Sequence, residues 1–275
     1  MIKITVLLEN NAIEDHYKKS HGLSVLIEHE NKKILLDVGP KNEFLLNAAK
    51  KNINLADVKY LFLSHNHKDH TGGINSFIEI NKNANIYLMD NIDNKYYAKK
   101  YFFYFPIGLK IKKKNRSRIV QVQNDLIIDK NIYFLKNTVS EYRKPVFNKK
   151  LYKKVNGKII NDTFDHEAIL VLEDNNELLI FNSCSHNGIL NIIDTVRKKF
   201  PGKKIRCYVG GLHLINPSTK ESDSDDYLNY LVNELKSMNI TVYTGHCTGK
   251  YPFDFIKEKL GEKIQVINTG MEMFI

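Results

Sequence analysis

Short apolar runs bounded by turn residues recur along the chain at Lys3 to Leu8, Leu23 to Glu28, Lys33 to Asp37, Lys59 to Ser64 and Asn85 to Met89. Similar runs follow at Arg118 to Val122, Leu126 to Ile128, Ile132 to Leu135, Ala168 to Leu172, Glu177 to Phe181, Ile205 to Val209, Ile240 to Tyr243 and Ile264 to Ile267. Their length and flanks predict strands. Asp174-Asn175-Asn176 between two of them predicts a hairpin turn. Helical spacing is interleaved. Ile189, Ile192, Ile193, Val196 and Phe200 fall on one face, and so do Tyr227, Leu228, Leu231, Val232 and Leu235 behind a Ser222-Asp223-Ser224-Asp225 start that can cap free amides. Further helices are expected over Asn42 to Lys51 and Lys250 to Leu260. Strands in both halves with helices between them predict an α/β sandwich, sheet layers covered by helices, in a single domain over 1–275.

One stretch breaks this rhythm. From Lys95 to Arg118 the aromatic residues Tyr96, Tyr97 and Tyr101 to Phe105 are followed by Lys110, Lys112, Lys113, Lys114, Arg116 and Arg118. It is expected to be an insertion at 95–118. Such a segment can stack on a ring and hold a phosphate, or bind single-stranded nucleic acid. The plainer alternative is an aromatic helix packed on the core or on a second copy, followed by a solvated basic loop.

Composition narrows the class. In 275 residues, 41 Lys and Arg against 31 Asp and Glu give a net charge of +10, which favours an anionic partner without choosing among nucleic acid, membrane surface and small phosphorylated substrate. The chain opens directly on a strand, with no signal peptide or membrane span in its pattern, so a cytoplasmic protein is expected. Three scattered cysteines, Cys184, Cys207 and Cys247, are too few for a disulfide framework and fit a reducing compartment.

The chemistry concentrates just after strands. His65, His67, Asp69 and His70 lie within six positions behind Tyr60 to Ser64 and ahead of Thr71-Gly72-Gly73. Imidazole and carboxylate suit zinc, iron or manganese, and this many at one strand end can serve two adjacent ions. His-x-His-x-Asp-His after a strand resembles the signature of the metallo-β-lactamase superfamily. Leu35 to Gly39, Phe181 to Ile189, Gly210-Gly211-Leu212-His213-Leu214 and Gly245-His246-Cys247-Thr248-Gly249 are similar to its subgroup of dihydropterin ribofuranosylaminobenzene phosphate synthases.

The resemblance implies a four-layer αββα sandwich. It implies that His65 and His67 bind a first metal, that Asp69 and His70 bind a second, and that His246 completes the second site. A mid-chain ligand is His186, in the subgroup's Ser-Cys-Ser-His-Asn-Gly pattern, with His166 as the alternative. Where many members carry a bridging aspartate this chain has Ser183-Cys184-Ser185. Cys184 is either a replacement ligand, which would favour zinc, or a small buried residue.

His213, behind two glycines, is a candidate for proton transfer or substrate contact, or else a buried structural histidine. The free amides of a helix starting at Gly188 suit an anionic group. His16, His21 and His29 are taken as surface or packing residues.

The expected activity is hydrolysis or group transfer on a small anionic or phosphorylated molecule. Two divalent ions, zinc before iron or manganese, would activate a water that Asp69 orients. The subgroup's eponymous reaction activates a leaving group instead. The alternatives are a nucleic-acid-binding protein or nuclease of the same fold, and a metal-binding sensor without turnover.

Overall fold

The apolar runs become strands in a computed structural model that describes residues 1–275. Contacts group the chain into two compact units: Met1–Asn124 with Lys150–Ala168 and Asn268–Ile275, and Asp125–Lys149 with Ile169–Ile267.

The first unit holds a seven-stranded sheet in the order Glu272–Phe274, Lys3–Leu8, Ser24–His29, Lys32–Leu36, Val58–Leu63, Asn85–Leu88, Ile119–Gln121. The early pairings are antiparallel, and from Lys32–Leu36 onward they are parallel. Helices Glu43–Lys50 and Ile74–Ile80 cover this sheet, burying Phe44, Ala48, Ile74 and Phe77 among Leu7, Leu35, Leu61 and Ile86.

The second unit carries the sheet Ile264–Val266, Thr241–Thr244, Lys204–Val209, Glu177–Phe181, Ala168–Asp174, Ile132–Lys136, Leu126–Asp129. Its first four strands are parallel. Parallel neighbours need a crossover, and helices Ile189–Lys199, Asp225–Ser237 and Lys250–Leu260 supply three in succession. Ile192, Val196, Leu228, Leu231 and Ile256 pack against Val171, Leu178, Ile180 and Val242. The hydroxyl of Ser224 caps Asp225–Ser237 by accepting the Tyr227 N–H, so the acidic start acts as its sequence suggests. Asn175 and Asn176 form the hairpin turn with φ of 50° and 63°, the two left-handed residues such a turn requires.

The aromatic stretch is not the helix that the plainer alternative expected. It is a hairpin, Tyr96–Lys100 with Phe103–Pro106, extended into a four-stranded sheet by Leu151–Val155 and Lys158–Asn161. No helix forms because the backbone groups of Tyr96 to Ala98 are taken by a ladder with Leu151 to Lys153, a partner more than fifty positions away. Tyr96 turns inward and is buried, whereas Phe102 is 91% exposed. The basic residues behind it are partly used within the chain. Lys112 pairs with Glu79 at 2.8 Å, Arg116 pairs with Asp93 at 2.6 Å, and Arg118 donates to the Ala84 carbonyl at 3.0 Å. No helix of the chain is long and apolar enough to cross a membrane.

Candidate metal centre

In the first unit, the strand Val58–Leu63 ends at Ser64, and His65, Asn66 and His67 lead into the one-turn helix Lys68–Thr71, which carries Asp69 and His70. Asp37, at the end of the adjacent parallel strand, organises this turn. Its Oδ1 accepts the Ser64 backbone N–H at 2.7 Å. Its Oδ2 accepts the Ser64 hydroxyl at 2.6 Å and the Nδ1–H of His70 at 2.8 Å. With its proton committed to Asp37, the Ser64 hydroxyl can only accept from His65 Nδ1, 2.8 Å away, so the lone pair of His65 lies on Nε2. A partner on one ring nitrogen that fixes orientation and tautomer is how metal-binding histidines are held.

Distances fit an ion as well. Two ligand bonds of about 2.1 Å at a tetrahedral angle set their donor atoms about 3.4 Å apart. His70 Nε2 and Asp69 Oδ2 are 3.5 Å apart. The His65 ring lies 4.6 Å from that of His67 and 4.3 Å from that of His70.

Protonation follows the surroundings. Burial first, then the neighbouring histidines, push His65 well below the usual histidine range. Burial and His166 push His67 down to about 3, so both rings are neutral, the form that coordinates. For His70 burial opposes the charge, but Asp69 and Asp37 overcome it and raise the ring to about 10.

Asn66, inside the motif, splices it to its supports. Its Nδ2 donates to Asp90 at 2.6 Å, its Oδ1 accepts the Leu109 N–H at 2.8 Å, and its backbone N–H donates to His166 Nδ1 at 3.1 Å. His166 Nε2 donates to Asp162 at 3.0 Å, so both nitrogens of His166 are committed to holding the loop. His21, taken from sequence as surface or packing, has its Nε2 3.4 Å from the Asp69 carboxylate.

In the second unit the residues of interest stand at the carboxyl ends of three adjacent parallel strands, where open α/β sheets place their ligands. Ser183 to His186 follow Glu177–Phe181, Gly210 to His213 follow Lys204–Val209, and Gly245 to Thr248 follow Thr241–Thr244. Ser185, His213 and His246 have φ of 55°, 53° and 52°. Left-handed backbone at ordinary residues costs energy and gathers at functional sites.

His186 Nδ1 is 3.1 Å from the Asn148 side-chain oxygen, and Asn148 Nδ2 donates to the His186 carbonyl at 2.6 Å. The His213 ring sits 4.1 Å from that of His186, and neither of its buried nitrogens has a hydrogen-bond partner. Cys247 Sγ lies 3.6 Å from Cys184 Sγ and accepts the His213 backbone N–H at 3.2 Å. Although burial opposes the charge, Cys184 and His213 hold the Cys247 thiol well below its usual range.

The sequence therefore locates His65, His67, Asp69 and His70 in one cluster, and Cys184, His186, His213 and His246 at neighbouring strand ends of the other unit. It misses the supports Asp37, Ser64, Asn66, Asp90, Asp162 and Asn148. Leu35 to Gly39 had marked Asp37 only as part of a resemblance. Ser64, Asn66, Asp90 and Asn148 are supports through partners 24 to 100 positions away, and Asp162, four positions before His166, sits in no motif that marks it.

A profile of the Metallo-beta-lactamase superfamily matches residues 18–150. The chain is 30% identical to the 7,8-dihydropterin-6-methyl-4-(beta-D-ribofuranosyl)-aminobenzene-5'-phosphate synthase of Methanocaldococcus jannaschii, over 98% of this chain and 95% of that one. The chain belongs to the metallo-β-lactamase superfamily, whose fold implies binding of divalent metal.

Among solved structures it is similar to Tm1679, described as a metal-dependent hydrolase of the beta-lactamase superfamily, with a TM-score of 0.82, 26% identity, and coverage of 100% and 99% of the two chains. Zn(2+)-bound PqqB from Methylobacterium extorquens shares the fold, with a TM-score of 0.56, 10% identity, and coverage of 99% and 100%.

Proposed function

We propose that this protein is a metal-dependent hydrolase or group transferase acting on a small anionic or phosphorylated molecule, with two divalent ions, zinc foremost. In this reading His65 and His67 serve one ion and Asp69, His70 and His246 the other. His186 is the mid-chain ligand rather than His166, because both nitrogens of His166 are already engaged. The carrying observation is the Asp37–Ser64–His65 and Asp37–His70 network, which fixes two imidazoles without spending their Nε2 atoms on Asp37 or Ser64.

Bound ions would supply Lewis acidity and a sink for developing negative charge. The chain's own residues do the rest. Asp69 orients the attacking group, with His21 steadying the carboxylate. His213, buried with no hydrogen-bond partner at either ring nitrogen, takes a proton from or gives one to the reacting molecule.

The synthase relative supports transfer, and the Tm1679 likeness supports hydrolysis. Engagement of Lys112, Arg116 and Arg118 within the chain weighs against a nucleic-acid surface there. Three buried cysteines, none in a disulfide, suit the cytoplasm.

Elemental analysis of protein purified without chelator, beside His70→Ala, tests the reading. About two ions per wild-type chain, fewer in the variant, and chelator-sensitive turnover in a panel of small phosphate esters are expected. No transition metal bound or taken up would overturn it.

A further inference from the structure

We propose that Cys184, His246 and Cys247 of the second unit form a thiolate-rich metal subsite, with Cys247 as a ligand beside the histidine that precedes it. The proposal rests on the reading of this chain as a metal-binding enzyme and adds two sulfur donors to the ion that His246 serves in that reading.

Three observations carry it. The ligand atoms of the three residues all lie within 4.8 Å of one another, and all three residues are buried. The two sulfurs are 3.6 Å apart, far beyond the length of about 2.05 Å of a disulfide bond. Two zinc–sulfur bonds of about 2.3 Å at a tetrahedral angle place their sulfurs about 3.8 Å apart, so the pair is already set as one edge of a zinc tetrahedron.

The third observation is the preparation of Cys247 itself. The His213 backbone N–H points at its sulfur at 3.2 Å, a donor that stabilises a thiolate and stays in place when the sulfur binds metal. Gly211 makes room for it, since a Cβ at that position would lie 2.5 Å from the Cys247 sulfur. The left-handed backbone of His246, with φ of 52°, sets the two consecutive side chains in this turn. Two soft sulfurs and an imidazole select zinc over magnesium or manganese. On binding, each cysteine thiol releases its proton to solvent and its sulfur forms the bond to the metal, with no change of oxidation state.

The test is cobalt(II) added to the chelator-treated, reduced full-length chain, read by absorption and by cobalt content. Wild type should show the near-ultraviolet thiolate-to-cobalt charge-transfer band. Cys247→Ser and Cys184→Ser should each keep about half of it, and the double variant should lose it together with about one cobalt per chain. Circular dichroism confirms that each variant is folded, and Cys247→Ala replaces Cys247→Ser if the latter is not.

Cobalt uptake without the band, or an undiminished band in folded Cys247→Ser, overturns the subsite while leaving the proposed function standing. A Cys184–Cys247 disulfide in the purified protein, with no band after reduction, overturns it too and makes the pair a redox element. No cobalt uptake at all by wild type removes the proposed function as well.

Discussion

Asp37 Oδ2 and His70 Nδ1 lie 2.8 Å apart, both fully buried, Asp37 just after the strand Lys32–Leu36 and His70 on the one-turn helix Lys68–Thr71, 33 residues further along the chain. The same carboxylate also holds Ser64 twice, and through Ser64 orients His65. One buried charge thus sets two of the candidate ligands. Removing one partner of such a pair leaves the other charge buried alone, at a cost of about 3–5 kcal/mol. Asp37→Ala is expected to lower unfolding free energy by about that amount and metal affinity by about 10–100-fold. Denaturant unfolding and competitive chelator titration measure the two effects, and unchanged metal affinity in a folded variant would remove Asp37 from the site.

His186 and His166 separate by consequence. His186→Ala should lose metal from the folded chain, together with the contacts of its ring to the Asn148 oxygen and the His213 ring. His166→Ala should lose stability first, since it strands Asp162 and the Asn66 N–H, while metal content per folded chain stays near wild type. The reverse pattern would make His166 the ligand. Metal content and thermal unfolding of both variants decide between them.

Gly210 admits no side chain. Its φ is 151°, and a Cβ there would fall 1.7 Å from the Asn182 carbonyl oxygen, which is backbone and cannot step aside. Gly210→Ala should cost several times the loss of about 1 kcal/mol expected from an ordinary left-handed glycine. Gly157→Ala is the control, with φ of 83° and nothing within 4 Å of the added carbon. Comparable unfolding midpoints for the two would refute the argument.

Burial pushes the Cys207 thiol from an ordinary value near 9.0 up to about 12. The unfolded chain therefore gives up this proton before the folded one does. The contribution of Cys207 to stability is complete below about pH 9 and drains away as pH climbs toward 12. Native protein at pH 8 should leave Cys207 unlabelled by thiol reagents. Cys207→Ala should flatten the fall of unfolding free energy between pH 9 and 12, and an unaltered slope would count against the shifted thiol.

Much of the fold is written locally. The strand Glu177–Phe181 and the helix Lys250–Leu260 have the bounds that their apolar spacing predicts, because each buries a face set by its own period. The edge strands Phe103–Pro106 and Lys158–Asn161 escaped that logic. Every residue of both is exposed, so no burial pattern marks them, and only their hairpin ladders to Tyr96–Lys100 and Leu151–Val155 make them strands.

The site divides along the same line. By itself the sequence determined which residues can carry the chemistry, because His65, His67, Asp69 and His70 are packed into six positions and the lineage shows in short motifs. Only the tertiary structure decided what holds them and what joins them. Asp37 reaches His70, Asn66 reaches Asp90 and His166, and Cys247 reaches Cys184, each across 24 to 100 residues of chain. A ligand is recognisable from its side chain alone. The carboxylates and amides that fix its tautomer, and the second sulfur that meets the first, are defined by approach in space, which no local pattern encodes.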